Sequence, residues 1–394
     1  MQGRGGNGVT FVNGVIDGQL STLRICGSRI TDLHDAPHAG DRVVDLEGDR
    51  LLPGLINAHD HLQLNSLPPL EFSSSYRHVR EWIADINERR RADPRFESQV
   101  NVPRATRLAV GGIKNLLSGV TSVAHHDPLY SCLMDPDFPT AVVAQYGWSH
   151  SLYIDGDVAV GNAYRQTPAA WPWIIHAAEG VDEEAATEWE RLERLGCVAG
   201  NTRVVHGVAL DTAARMRLAA AGAGLIWCPS SNLRLFGKTI KVTTLAQLGQ
   251  VALGTDSRLS GSRDLLEELG LAAKIEGLNE PALEALVTSG AARLLGLADR
   301  GSLRSGLRAD IVVLRRGVRL THATRTDLRL VLRDGRPRYG DMDLARTVEP
   351  AVHWRSIRLD GFRKALDPVI AGMLEERGAI EPGLELSAAT WAVA

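Results

Sequence analysis

Four apolar runs in this chain each stop on a histidine or an aspartate, and no other feature limits the possible fold so much. Leu51-Leu52-Pro53-Gly54-Leu55-Ile56-Asn57-Ala58 leads into His59-Asp60-His61, and Trp173-Ile174-Ile175 leads into His176, with Glu179 just beyond. Arg203-Val204-Val205 leads into His206, and Val251-Ala252-Leu253-Gly254-Thr255 leads into Asp256. Unbroken apolar runs of this length read as strands buried on both faces, the habit of parallel sheets. Alternate side chains of a strand share a face, so His59 and His61 point the same way. Asp60 points the opposite way and reads as a structural hydrogen-bond acceptor. Helical stretches at 104–117, 182–195, 211–221 and 265–275 separate the runs, as βαβ units require. Polar groups at the C-terminal ends of parallel strands gather in one place when those strands close into an α/β barrel.

Any one of these histidines alone would be an ordinary core residue bonded to a neighbour. Together the strand ends supply candidate metal ligands or proton-transfer groups, because neutral imidazole and carboxylate are the usual donors to a hydrolytic metal. The strand count has one weak point. Runs occur near Leu51, Thr121, Ala141, Trp173, Val204, Leu225 and Val251, but the fourth strand has only a faint candidate within 151–160. His150, at the end of Gly147-Trp148-Ser149-His150, is placed for substrate contact.

The ends of the chain read differently. Residues 9–44 and those past Gly301 alternate short β-prone pieces with Gly, Asn and Asp turns. Each set alone has too few strands for a stable sheet, so the two are expected to pair. The expected organisation is a β-sandwich in two parts, 1–50 and 301–345, around a barrel at 51–300, with a helical extension at 346–394.

Composition is that of an ordinary globular protein: 44% hydrophobic, 23% charged, net charge −3. Nothing in it points to nucleic acid or to a membrane partner, and it leaves a homodimer open. The four cysteines form no Cys-x-x-Cys pair and read as reduced thiols, so a cytoplasmic location and a small-molecule substrate are expected.

The run ending in His59-Asp60-His61, with His176-Ala177-Ala178-Glu179, Val205-His206-Gly207, Cys228-Pro229-Ser230-Ser231-Asn232 and Gly254-Thr255-Asp256-Ser257, resembles the amidohydrolase superfamily. The likeness is to the branch of S-adenosylhomocysteine, guanine and cytosine deaminases and triazine chlorohydrolases. It implies an α/β fold, a distorted TIM (β/α)8 barrel with a small β-sandwich domain built from both chain ends. It also implies one divalent transition metal, Zn²⁺ or Fe²⁺, on His59, His61, His176 and Asp256. Members with two metals bridge them through a Lys or Glu of the fourth strand, and neither residue occurs from Pro128 to Ala178. By the same resemblance Glu179 shuttles a proton, Asp256 takes one from water, and His206 orients the nucleophile or the substrate. Glu179, His206 and His150 would then meet the substrate. The implied reaction is hydrolytic deamination of an amino-substituted heterocycle, with hydrolysis of a cyclic or N-acyl amide, or of a C–Cl bond, as the alternative. A non-catalytic scaffold would have lost ligands that this chain keeps.

Overall fold

The computed structural model describes residues 8–70, 75–94, 96–97, 101–275 and 277–386. The chain opens with β1 (Val9–Ile16), β2 (Gln19–Cys26), β3 (Arg29–Leu33), β4 (Arg42–Asp45) and β5 (Arg50–Pro53). Asp17 and Gly18 both take positive φ, 48° and 79°, the type I′ turn whose twist suits a tight hairpin between β1 and β2.

The barrel strands are β6 (Leu55–Asp60), β7 (Val120–His125), β8 (Ala141–Val142), β9 (Gly147–Ser151), β10 (Trp173–Ala177), β11 (Thr202–His206), β12 (Gly224–Trp227) and β13 (Val251–Leu253). Parallel ladders give the orders β13-β12-β11-β10-β9 and β6-β7-β8. A parallel bridge between Asp60 and Asp256 joins the two sets across β6 and β13. Among the described residues no ladder joins β8 to β9, so the barrel is irregular there. β6, β7, β10, β11, β12 and β13 are buried at every position, which is why they read as unbroken apolar runs.

Two expectations about the barrel need correction. Leu51 and Leu52 are not on it: they lie in β5, paired antiparallel with β14 (Ile311–Leu314) of the other sheet. One apolar run therefore serves both sheets, with the change of sheet at Gly54. A Cβ there would lie 2.3 Å from Thr121 Oγ1, so only glycine lets β6 settle against β7. The fourth strand is Gly147–Ser151, and 152–166 is mostly helix. Its polar sequence carries no apolar run to reveal it.

After the barrel come β14, β15 (Leu328–Arg333), β16 (Arg336–Gly340), β17 (Arg355–Leu359), β18 (Phe362–Leu366) and β19 (Leu384–Leu386). The whole sheet has eleven strands in the order β19-β17-β18-β16-β15-β14-β5-β1-β2-β3, with β4 on β1. The expected helical extension at 346–394 is thus part strand and part helix among the described residues. β17 and β18 turn on Asp360-Gly361, again with positive φ at both residues (48° and 86°), and helix follows them at Pro368–Arg377. No helix among the described residues is long and apolar enough to cross a membrane.

Three helices bear on the site: α1 (Val79–Ala92), α2 (Arg104–Leu117) and α3 (Leu152–Gln166). Substituting Gly54→Ala should destabilise the chain by about 1–3 kcal/mol, the usual cost of overpacking. A chemical melt checks this; a variant as stable as the parent would contradict the close approach of Gly54 to Thr121.

Candidate metal centre

The strand ends converge as the barrel geometry requires. One ligand atom from each of His59, His61, His176 and Asp256 can be chosen so that all lie within 4.8 Å of one another. His61 Nε2 and His176 Nε2 are 3.3 Å apart. Asp256 Oδ1 is 3.6 Å from Nε2 of His59 and 3.6 Å from Nε2 of His61.

The surroundings fix the histidine tautomers. His61 Nδ1 meets Asp127 Oδ2 at 2.9 Å and His176 Nδ1 meets the His150 carbonyl at 2.8 Å, so both Nδ1 atoms donate. His126 Nε2 lies 2.8 Å from the Ser149 carbonyl and so donates, which leaves its Nδ1 to accept from His59 Nδ1 at 3.3 Å. All three ligand histidines therefore turn an Nε2 lone pair inward. His59 Nε2 is buried and has no hydrogen-bond partner. Oδ2 of Asp256 accepts from Ser231 Oγ and Ser260 Oγ, both at 2.7 Å, leaving Oδ1 to face the imidazoles. Three lone pairs and a carboxylate oxygen pointed at one buried place repel one another unless a cation lies between them. These residues fit a divalent metal.

Burial alone would discharge His61, but Asp127, Asp256 and Asp60 outweigh it and raise its pKa to about 9, so its Nε2 draws a cation, proton or metal, toward Asp256. Burial lowers His59 to about 4 and takes His176 well below the ordinary range, so both are neutral donors. Burial also opposes charge on Asp256, yet His59, His206 and His61 hold its carboxyl below the usual carboxylate range.

The expected proton-transfer groups lie at the same place. Glu179 Oε1 is 3.5 Å from His206 Nε2, and His206 Nδ1 is held by Asn232 Oδ1 at 2.8 Å. Burial, then the charges of Asp256 and Glu188, push Glu179 well above the normal carboxyl range, so it holds a proton. Glu179, His206, Asp256, His61, His176 and His150 all line one cavity of about 200 Å³. His150 contributes twice, with its ring at the wall and its carbonyl on His176. Ala178, His206 and Asp256 all have positive φ (53°, 71° and 59°). Such a backbone costs a non-glycine residue about 1–3 kcal/mol and concentrates at functional sites.

Other residues support the ligands from behind. Asp60, on the far face as expected, accepts from Lys114 Nζ at 3.2 Å, Asn115 Nδ2 at 2.8 Å and Asn65 Nδ2 at 2.8 Å. Lys114 is wholly buried, a charge on the barrel side of α2 that the sequence shows only as a Lys inside an apolar helix face. Behind Asp256, Arg258 pairs with Glu381 at 2.9 Å, tying the ligand loop to the chain's end. Its neighbours Arg234 and Lys238 stay outside the cavity, with Arg234 bonded to backbone carbonyls of Gly261 and Leu70.

Residues 173–339 match the model of the amidohydrolase family. That stretch is therefore similar to an amidohydrolase-family domain. A 5-methylthioadenosine/S-adenosylhomocysteine deaminase of Halobacterium salinarum is 27% identical to this chain over 356 residues, covering 76% of this chain and 80% of that protein. Solved structures share the fold. An adenosine deaminase from Xanthomonas campestris with bound zinc aligns at a TM-score of 0.68 and 20% identity, over 88% of this chain and 97% of the other. An atrazine chlorohydrolase from Arthrobacter aurescens TC1 complexed with zinc aligns at 0.67 and 17%, over 84% and 94%. The protein is a hydrolase of carbon–nitrogen bonds with a candidate site for a divalent metal.

Elemental analysis should find one metal per chain. His59→Ala, His61→Ala, His176→Ala and Asp256→Ala should each deplete it, and His206→Ala should keep it. Two metals per chain, or a full site in the Asp256 variant, would contradict the arrangement.

Proposed function

We propose that this protein removes an amino group hydrolytically from a small heterocycle. The observation that carries the reading is Glu179, a buried carboxyl that lines the cavity 3.5 Å from His206 and beside Asp256, and that burial pushes well above the ordinary carboxyl range. A ring amine leaves as ammonia only after protons reach the ring and the departing nitrogen. A group that both gives and accepts a proton there is what the reaction needs. The deaminases among the relatives support the same reaction class.

Zinc suits the ligand set best, since three imidazole nitrogens and one carboxylate oxygen match its usual donors. Held by His59, His61, His176 and Asp256, it supplies the Lewis acidity that makes water nucleophilic near neutral pH. The remaining steps belong to the protein. Asp256, kept ionised, takes a proton from the attacking water with its inward oxygen while Ser231 and Ser260 hold the other. Glu179 gives its proton to the ring, the proton that Asp256 took from water passes to the leaving amine, and Glu179 recovers a proton from the new hydroxyl as it becomes a carbonyl. His206 has its Nδ1–H engaged by Asn232, so it presents a neutral Nε2 to the water and to Glu179. Closure from bulk water strengthens each of these interactions.

Glu179→Gln keeps the shape but can neither accept nor return a proton. Ammonia release should fall by ~10²–10⁴-fold, the usual worth of general acid–base catalysis, with metal content unchanged. Near-parental release from a fully metallated variant would remove Glu179 as shuttle and favour a leaving group that departs without protonation.

A further inference from the structure

The wall of the cavity opposite the ligands differs sharply in character from the metal side. Its polar lining consists of the ligand and proton-transfer groups with Gln63, Asp127, His150, Ser151 and Ser257. The rest is Leu64, Val79, Trp82, Ile83, Ile154 and Leu235, and among the described residues no lysine or arginine lines it. Three of the six come from α1, where Val79, Trp82 and Ile83, together with Ile86, form a stripe at helical spacing. Trp82 packs with Ile83 against the cluster of Val79, Val208, Leu235 and Phe236, and with Ile86 against that of Leu67, Phe96 and Leu259. Both clusters are separate from the main barrel core, so the helix is docked across the mouth by its own apolar face.

The docked helix is also registered to the chemistry. Val79 N donates to the Glu179 carbonyl at 3.1 Å and Val181 N donates to the Arg77 carbonyl at 2.7 Å. His78 and Gly180 form an antiparallel bridge. The backbone that presents Glu179 is thus the backbone that anchors the apolar stripe, which fixes the wall relative to the proton shuttle.

Resting on the deaminase reading, we propose that the substrate is an uncharged amino-substituted heterocycle bearing a compact apolar substituent, seated against Trp82, Ile83 and Ile154. A carboxylate or phosphate arm would enter a cavity holding the carboxylates of Asp127 and Asp256, and among the described residues no lysine or arginine lines it to receive the charge. An ammonium arm would lose its water against hydrocarbon, because Asp127 is already taken by His61 and Gln63. An apolar arm loses nothing there and buries its surface. The small cavity, about 200 Å³, limits the arm to a few carbons beyond the ring.

The test is calorimetric binding to the full metal-loaded chain, with ammonia release measured in parallel. Aminopyrimidine, aminotriazine and adenine rings would each be made with an isopropyl, a carboxymethyl or an aminoethyl arm. On at least one ring the isopropyl arm should bind on the order of tenfold or more tighter than both charged arms, as hydrophobic pockets discriminate. Ile154 is 52% exposed, so Ile154→Lys should fold normally; it should weaken the isopropyl compound and strengthen the carboxymethyl one. A charged arm binding as tightly as isopropyl on every ring, or no arm binding at all, would overturn the proposal. Selective isopropyl binding without ammonia release would leave the wall assignment standing and refute deamination.

Discussion

Everything at the mouth of this barrel depends on one repulsion. His59, His61 and His176 each have Nδ1 committed as a donor, to His126, Asp127 and the His150 carbonyl, so three Nε2 lone pairs meet the free oxygen of Asp256 in a buried place. A cation turns that repulsion into the strongest attraction in the site. The partners that fix the tautomers are therefore as necessary as the ligands, because a flipped imidazole would present N–H where a lone pair is required.

The fold spends stability to hold this geometry. Left-handed backbone at Ala178, His206 and Asp256 is unfavourable, and each position is braced. The Ala178 N–H donates to buried Glu188 at 2.6 Å, and the Asp256 carbonyl accepts from the His61 N–H at 2.7 Å. Beneath them Lys114 and Asp60 form an ion pair wholly out of water, satisfied on every side by Asn57, Asn65, Asn115 and Thr255. A buried pair of this kind adds little net stability, but losing one member leaves an uncompensated charge, so it enforces one arrangement of β6 against α2. Arg258, Glu381 and Arg325 extend the bracing from the Asp256 loop to the eleven-stranded sheet.

The barrel was legible wherever burial on both faces writes itself as an apolar run, which is true of β6, β10, β11, β12 and β13. It was illegible at β9, whose Gly-Trp-Ser-His-Ser sequence is half polar because its outer residues face helices and the cavity rim. The Leu51 run misled because hydrophobicity cannot show which of two sheets a buried residue joins; Gly54 was the available sign. The hairpin of β17 and β18 was announced by Asp360-Gly361 and overlooked because the residues after it, 362–376, can also be laid on a helix. Site residues at strand ends could be found from position alone. Asp127, Lys114 and Glu381 could not, since their partners are 66, 54 and 123 residues away and only the folded chain brings them together.

The central claim is that one cation completes the inward-facing histidines. X-ray absorption at the metal edge of the purified, metal-loaded chain tests it most directly. The account predicts a single metal with three imidazole nitrogens at about 2.0–2.1 Å and oxygen donors completing the shell. A metal–metal distance of about 3.5–4 Å, or fewer than three imidazoles in the shell, would contradict it.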